Sequence, residues 1–366
     1  MKVPLLDLKR QYQSIKNEID GAVQKVLEGT QFIMGPEVKT LEENVTKYCG
    51  TKYGIGVASG TDALLLSLRV CGVGSGDEVI IPTFTFFATA GVVSRLGATP
   101  VFVDIDPDTY NIDPQLIEKK ITRNTKAIIP VHLFGQCADM DPILEIAQKH
   151  NLKVVEDAAQ AIGARYKGKK AGSRGDLGCF SFFPSKNLGG AGDGGMVVTH
   201  DESLADLVRK LRVHGATQKY YHSIVGYNSR LDTLQAAILD VKLRYLDQWS
   251  AKRNEKAKVY DQAFKDLDIV TPKVEKFNNH IYHQYTIAVK NRDGLKEHLT
   301  KNQIGWAVYY PLPLHLQECY KSLGHRQGDL PVSERKANEV ISLPIFPELT
   351  TQEQEFVIES IKSFLS

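Results

Sequence analysis

Residues Cys179–Gly195 read CFSFFPSKNLGGAGDGG, which places Lys186 after an apolar strand and a proline turn, ahead of a glycine-rich loop. An amine beside apolar residues has its charged form disfavoured, and a neutral amine is what forms a Schiff base with a carbonyl. Taken singly, a loop lysine is more often solvated. Residues Val154–Ala161, VVEDAAQA, end an apolar strand on Glu156 and Asp157. Ligands of open α/β sheets collect at the carboxyl ends of strands, so a carboxylate there can face a bound group. Taken singly, Asp157 reads better as the cap of a following helix. In Ala58–Leu68, ASGTDALLLSL, a strand ends in Ser59-Gly60-Thr61 and a helix begins. Free N–H groups at a helix start suit a phosphate, and a plain Ser/Thr cap is an equally good reading. Pro82–Ala90, PTFTFFATA, puts Phe84, Phe86 and Phe87 at another strand-to-helix junction. One of these rings can stack on a flat heteroaromatic ligand, although core packing is the default for each.

The combination says more than its parts. A phosphate cradle, a stackable ring, a carboxylate and an amine all fall at strand ends in separate parts of the chain. Pyridoxal 5′-phosphate (PLP) requires each of them: N–H groups for its phosphate, an aromatic face for its ring, a carboxylate for its pyridine nitrogen and a lysine for its aldehyde. The same loop contains a literal G-x-G-x-x-G at Gly190, Gly192 and Gly195. That pattern marks a dinucleotide site only where it follows a strand and opens a helix. Here it leads into MVVTH, a strand, so its glycines are read as freedom for a tight backbone turn.

The elements that must position these groups follow from periodicity. Strands are expected at Gly54–Ala58, Glu78–Ile81, Thr99–Val103, Thr125–Pro130, Lys153–Glu156, Cys179–Phe182 and Met196–Thr199. Helices are expected at Leu8–Leu27, Val38–Tyr48, Thr61–Val70, Phe86–Leu96, Pro142–His150 and Ser203–Leu211, with one or two long helices over Arg230–Phe264. This alternation reads as an α/β fold with a mainly parallel sheet. From about Asp266 the texture changes. Strands near Gln284–Val289 and Trp306–Tyr310, with helices at Asp293–Thr300, Ser333–Ile341 and Thr351–Phe364, suggest a small α+β domain. The expected division is a large domain over residues 1–250 and a small C-terminal domain over 251–366.

At 366 residues the chain is long enough for two such cores. Its formal net charge of +2 gives no electrostatic case for nucleic acid or membrane partners. The cysteines Cys49, Cys71, Cys137, Cys179 and Cys319 form no CxxC pair. This speaks against a disulfide framework or zinc site and suits a reducing cytoplasm. The histidines His132, His214, His222 and His315 match no usual zinc spacing, so no metal is expected. The N-terminal segment lacks an apolar signal region, and no apolar run approaches the roughly 18 residues that span a bilayer. The basic run Arg165–Lys170 reads as a solvated hairpin turning at Gly168.

The ordered set SGTDAL, PTFTFFATA, EDAAQA, FSFFPSKNLG and GYNSRLDTLQAAIL resembles the DegT/DnrJ/EryC1/StrS sugar aminotransferases, from DLKRQY near the start to LPIFPEL near the end. The resemblance implies PLP fold type I, aspartate aminotransferase-like. It implies that Lys186 anchors the PLP aldehyde, Asp157 partners the pyridinium nitrogen and Gln160 lies beside the phenolic oxygen. It gives Gly60, Thr61 and Ser181 to the phosphate and Phe86 to ring stacking. Asn228 resembles the asparagine that reaches the phosphate from a neighbouring subunit, which implies a homodimer with composite active sites. Lysine at 186, where the family's PLP sugar dehydratases carry histidine, implies transamination.

Within the family, His214–Asp232 and Tyr309–His315 resemble enzymes that aminate C3 of UDP-linked 2-acetamido-3-keto sugars. The implied substrate contacts are Thr30, Phe32, Ser185, Arg230, Tyr309 and Tyr310. Tyr309 stands where the relatives that use a uronic acid carry histidine, which leaves the uncharged 3-keto sugar open. L-glutamate is the implied amino donor, with cell-surface polysaccharide or lipopolysaccharide sugar synthesis as the implied setting. A dTDP-3-keto-6-deoxyhexose aminotransferase is the alternative. A nicotinamide-dependent sugar oxidoreductase and a non-catalytic PLP or sugar sensor are more distant ones.

Overall fold

The computed structural model describes residues 1–366. Its centre is a seven-stranded sheet. The strands are β1 (Tyr53–Val57), β2 (Glu78–Pro82), β3 (Thr99–Val103), β4 (Thr125–Ile128), β5 (Lys153–Asp157), β6 (Leu177–Ser181) and β7 (Gly195–Thr199). They lie in the order β1-β7-β6-β5-β4-β2-β3. β7 runs antiparallel to both neighbours, and every other pairing is parallel.

Both faces of the sheet are covered, which is why its strands are near-continuous apolar runs. Along β2, Val79 and Ile81 face one layer and Ile80 faces the other. The first layer holds helices α4 (Gly60–Val70), α5 (Ala88–Arg95) and α7 (Glu202–Leu211). The second holds α3 (Pro36–Cys49), α6 (Met140–Lys149) and α8 (Thr233–Leu243). Each fully buried branched aliphatic contributes about 1.5–3 kcal/mol, so the two layers fix the strand register firmly.

A third core lies apart. It gathers the end of α9 (Leu246–Phe264), β8 (Tyr285–Ala288), α10 (Arg292–Lys301), β9 (Val340–Leu343) and α12 (Thr351–Leu365). Helix α9 starts against the large core through Leu246 and ends in the small one through Tyr260 and Phe264. Residue 250 therefore falls inside one continuous helix. Val3 packs in the small core and pairs with Ile304, so the first residues of the chain join its last.

Three expectations change. The helix over Leu8–Leu27 is two, α1 (Leu8–Ser14) and α2 (Lys16–Gly29), broken at Ile15, whose backbone leaves the helical region. The strand at Trp306–Tyr310 reduces to one bridge, Ala307 to Ser342, because Pro311 and Pro313 follow and the chain turns toward the sheet ends. The helix over Ser333–Ile341 stops as α11 (Pro331–Glu339), and Val340 and Ile341 pair with β8 instead. There the partner strand overrides helical periodicity. The hairpin at Arg165–Lys170 forms as read, with Lys167 and Gly168 both at positive φ.

Asp104, just after β3, ties the sheet to a distant segment of the chain. Its buried carboxylate accepts from the Ser333 and Val332 N–H groups, each at 2.9 Å, and from the Ser333 hydroxyl. These are the first donors of α11, which has no cap of its own. Asp104→Asn would turn an amide toward those donors. It is expected to lower stability by about 2–3 kcal/mol, measured as the urea midpoint, with α/β secondary structure retained by circular dichroism.

Candidate active site

A cavity of about 630 Å³ opens where the carboxyl ends of β5 and β6 meet the start of α4. β5 and β6 pair in parallel, so Asp157 and Ser181 leave the sheet at the same edge, where ligands of such sheets bind. Ten of the expected residues line it: Gly60, Thr61, Phe86, Asp157, Gln160, Ser181, Ser185, Lys186, Tyr309 and Tyr310. Thr30, Phe32, Asn228 and Arg230 do not. Thr30 ends α2, and Phe32 is exposed. Asn228 and Arg230 lie on the strap that leads into α8.

Lys186 sits on a tight turn, its N–H donating to Phe183 O at 2.8 Å. Helix α8 braces the loop behind it. Gln235 accepts the Ala191 N–H at 2.8 Å, and the buried Lys242 ammonium donates to Gly189 O at 2.6 Å. Gly189 has no room for a side chain, since a Cβ would lie 2.2 Å from Pro184 O. The Lys186 amine is thus delivered into the cavity by a rigid turn. Burial pushes its pKa down to about 8, against the opposing charge of Asp157.

Asp157 ends β5 and is buried. No helix follows it, so it is not a helix cap. Its Oδ1 accepts the Ala159 N–H at 3.2 Å, and its Oδ2 accepts the Thr89 hydroxyl at 2.8 Å. Burial pushes its pKa up, while Thr89, Ala159 and the Lys186 charge act in the other direction. A cationic partner in the cavity would complete it. Thr89, on α5, was missed by the sequence reading. The only sign of it was its place in PTFTFFATA, beside the aromatic residues.

The neighbouring Glu156 points the other way and is fully satisfied. It accepts from His132 Nε2 at 2.7 Å and from the Gly172, Arg174 and Gly175 N–H groups. Burial alone would push its pKa up, but these donors hold it below its ordinary value. His132 Nδ1 accepts the Ala138 N–H, so both ring nitrogens are engaged within the fold.

At the other end of the cavity, Gly60 and Thr61 begin α4, and their N–H groups have no intrahelical acceptor. Ser59 caps the helix by accepting the Asp62 N–H. The Ser181 side chain crosses under Gly60 so closely that a Cβ there would lie 2.6 Å from the Ser181 Cβ. The result is a shallow cradle of N–H and O–H donors at a helix start, fitted to a phosphate. The Phe86 ring is 59% exposed, with one neighbour ring, Tyr310, at 6.4 Å, which leaves a face free to cover a flat ring. Gln160 is locked by the Phe134 N–H at 2.8 Å and donates to the Tyr310 hydroxyl at 3.1 Å. Amine, carboxylate, aromatic face and phosphate cradle share one cavity, and these residues fit PLP.

The model of the DegT/DnrJ/EryC1/StrS aminotransferase family matches residues 13–362. The chain belongs to that family. It is a PLP-dependent transaminase of fold type I. The chain is 52% identical to a pleiotropic regulatory protein of Geobacillus stearothermophilus, covering 100% of this chain and 99% of that one. It is 48% identical to the UDP-N-acetyl-3-dehydro-alpha-D-glucosamine 3-aminotransferase of Acidithiobacillus ferrooxidans, over 96% and 95% of the two chains. It is also 48% identical to the UDP-2-acetamido-2-deoxy-3-oxo-D-glucuronate aminotransferase of Pseudomonas aeruginosa, over 95% and 96%. The crystal structure of S. venezuelae DesV in complex with a ketimine intermediate superposes with a TM-score of 0.98 at 43% identity, over 100% and 99% of the chains. No helix is long and apolar enough to cross a membrane.

Thr89→Val removes one donor to the Asp157 carboxylate at nearly constant volume. Turnover is expected to fall roughly tenfold, the worth of one hydrogen bond to a charged group, with the melting temperature almost unchanged. Asp157→Asn should cost roughly a hundredfold or more in rate with the fold intact. A rate equal to wild type in either variant, measured in steady state, would remove that residue from the site.

Proposed function

We propose that this aminotransferase moves the amino group of L-glutamate to the C3 keto carbon of UDP-2-acetamido-2-deoxy-3-keto-glucose, for cell-surface amino-sugar synthesis. One observation carries the choice of a neutral sugar. Lys186 is the only lysine or arginine among the residues that line the cavity, and the other charged ones are Asp157 and Asp193. Within one chain a uronate carboxylate would meet no fixed cation beyond the reacting amine, and the one cation a second copy would add, Arg230, serves the diphosphate. Tyr309 at the rim instead offers a phenol hydroxyl to sugar oxygens, and burial keeps it protonated by raising its pKa. The equal likeness, 48% each, to enzymes named for the neutral 3-keto sugar and for its uronic acid supports a UDP-linked 3-keto sugar, and the choice between the two rests on the cavity lining.

Bound PLP supplies an electron sink. The chain does the rest. The Gly60 and Thr61 N–H groups and the Ser181 hydroxyl hold the phosphate. Asp157 holds the proton on the ring nitrogen, with Thr89 fixing its carboxylate. Phe86 covers the ring and excludes water. Lys186 Nζ, a base close to neutral pH, takes the proton from the α-carbon of the amino donor and returns one to sugar C3 in the second half of the cycle.

The working unit is a homodimer with composite sites, in which Asn228 and Arg230 of a second copy reach the phosphate and the substrate diphosphate. Four expected contact residues lie outside the cavity of their own chain, and exposed apolar side chains at Phe32, Ile33, Met34, Tyr220 and Val225 leave surface for a second copy to cover.

Lys186→Ala should abolish turnover and the visible absorbance of the bound aldehyde cofactor while still binding its reduced form. In a panel of UDP-3-keto-N-acetylglucosamine, its uronic acid and a dTDP-3-keto-6-deoxyhexose, the first should lead in kcat/KM by roughly tenfold or more. Preference for the uronic acid would overturn the substrate assignment and leave the transaminase standing.

A further inference from the structure

Asn187, the residue after Lys186, is buried and makes two side-chain bonds to one segment of the chain. Its Nδ2 donates to Ile281 O at 3.3 Å, and its Oδ1 lies 3.0 Å from His283 Nδ1. With Nδ2 used as a donor, Oδ1 is the acceptor, so His283 carries its proton on Nδ1. The Nε2 of His283 is then a lone-pair acceptor. It has no partner in the chain, and His283 lines the cavity together with Lys186. Burial, with the charge of Lys186, holds the imidazole well below its ordinary pKa, so the ring stays neutral.

The ring is also held from behind. The segment carrying His283 bonds to the large domain, Ile281 N–H to Gly135 O at 3.0 Å and Gln284 N–H to Phe134 O at 3.3 Å. The buried Arg253 of α9 donates to Tyr282 O at 3.1 Å and to Ile345 O at 2.6 Å, which ties the same segment to the small domain. A neutral imidazole pinned by both cores, with one unpartnered nitrogen in the cavity that also holds Lys186, has no evident use in packing. The Glu156–His132 pair, by contrast, has every polar atom engaged.

We propose that His283 is a positioning residue for Lys186, its Nε2 accepting a hydrogen bond from the Lys186 amine whenever that amine is free. The inference rests on Lys186 being the amine that serves the cofactor. A free primary amine has two hydrogens and one lone pair, and its four-carbon stem lets the lone pair sweep the cavity. Donating one hydrogen to a fixed acceptor restricts that rotation and keeps the lone pair directed at the reacting carbon. Asn187 sets the tautomer that makes this possible, and its place next to Lys186 couples the clasp to the turn that delivers the amine.

The test compares wild type with His283→Leu, His283→Gln and Asn187→Asp. Borohydride reduction of each holoenzyme, followed by peptide mass spectrometry, first locates the cofactor on Lys186. Attachment elsewhere in the wild type would overturn the Lys186 assignment and this proposal with it. With attachment on Lys186, His283→Leu should slow both half-reactions roughly ten- to a hundredfold, with KM for the amino donor within about twofold. In protein stripped of cofactor, the apparent pKa of Lys186, read from the pH dependence of its reductive methylation, should fall by roughly half to one unit. An acceptor favours the charged amine, and its removal takes that preference away. His283→Gln, which keeps an acceptor, should recover part of both effects. Asn187→Asp, nearly isosteric, gives up the bond to Ile281 O, so its melting temperature is read alongside the rate; it should charge the imidazole, remove its free lone pair and reproduce the rate loss. Wild-type half-reaction rates, or an unchanged Lys186 titration in His283→Leu, would overturn the proposal.

Discussion

A buried carboxylate and a buried amine held in one cavity, Asp157 at the end of β5 and Lys186 on its turn, form the constraint on which the rest of the structure depends. Burial disfavours the charged form of both, so each is disposed toward a partner that neither can be for the other alone. The fold keeps this imbalance in place. Thr89 from α5 fixes one oxygen of Asp157, and Gln235 and Lys242 from α8 fix the loop that carries Lys186. Helices from opposite faces of the sheet therefore converge on one pair of groups. The double-sided burial of the strands provides the stiffness this requires.

The adjacent acids Glu156 and Asp157 show how position sets role. Successive strand residues face opposite sides of the sheet. Glu156 falls where three N–H groups and His132 meet, and it is structural. Asp157 falls at the crevice with two donors and an open approach, and it is left for chemistry. The same logic separates two of the buried histidines. His132 has both nitrogens in use, while His283 keeps one free in the cavity that holds Lys186.

The sheet and the C-terminal part of the chain are tied at particular residues. Asp104 caps α11 from the end of β3, Arg253 holds the carbonyls of the connecting segment, and α9 passes from one core to the other. Tyr309, Tyr310 and His283 all reach the cavity from the small-domain side of these links.

The sequence by itself determined the alternation of strands and helices, the strand ends that bear chemistry, and four of the groups a PLP site needs. These are local properties: apolar runs bounded by turns, a helix start rich in Ser, Gly and Thr, a lysine before a glycine-rich loop. Only the tertiary structure decided the rest. Val340 and Ile341 became a strand because β8 lay beside them, which no local periodicity records. The role of Thr89 follows from a hydrogen bond to a residue 68 positions away. His283 becomes notable only when folding sets it against Asn187, 96 positions earlier. Asn228 and Arg230 have motif context, and Thr30 and Phe32 are implied substrate contacts, but none of the four has a place in its own chain's cavity. Hydrogen bonds and burial depend on distance in space, and a sequence specifies such distances only through the fold as a whole.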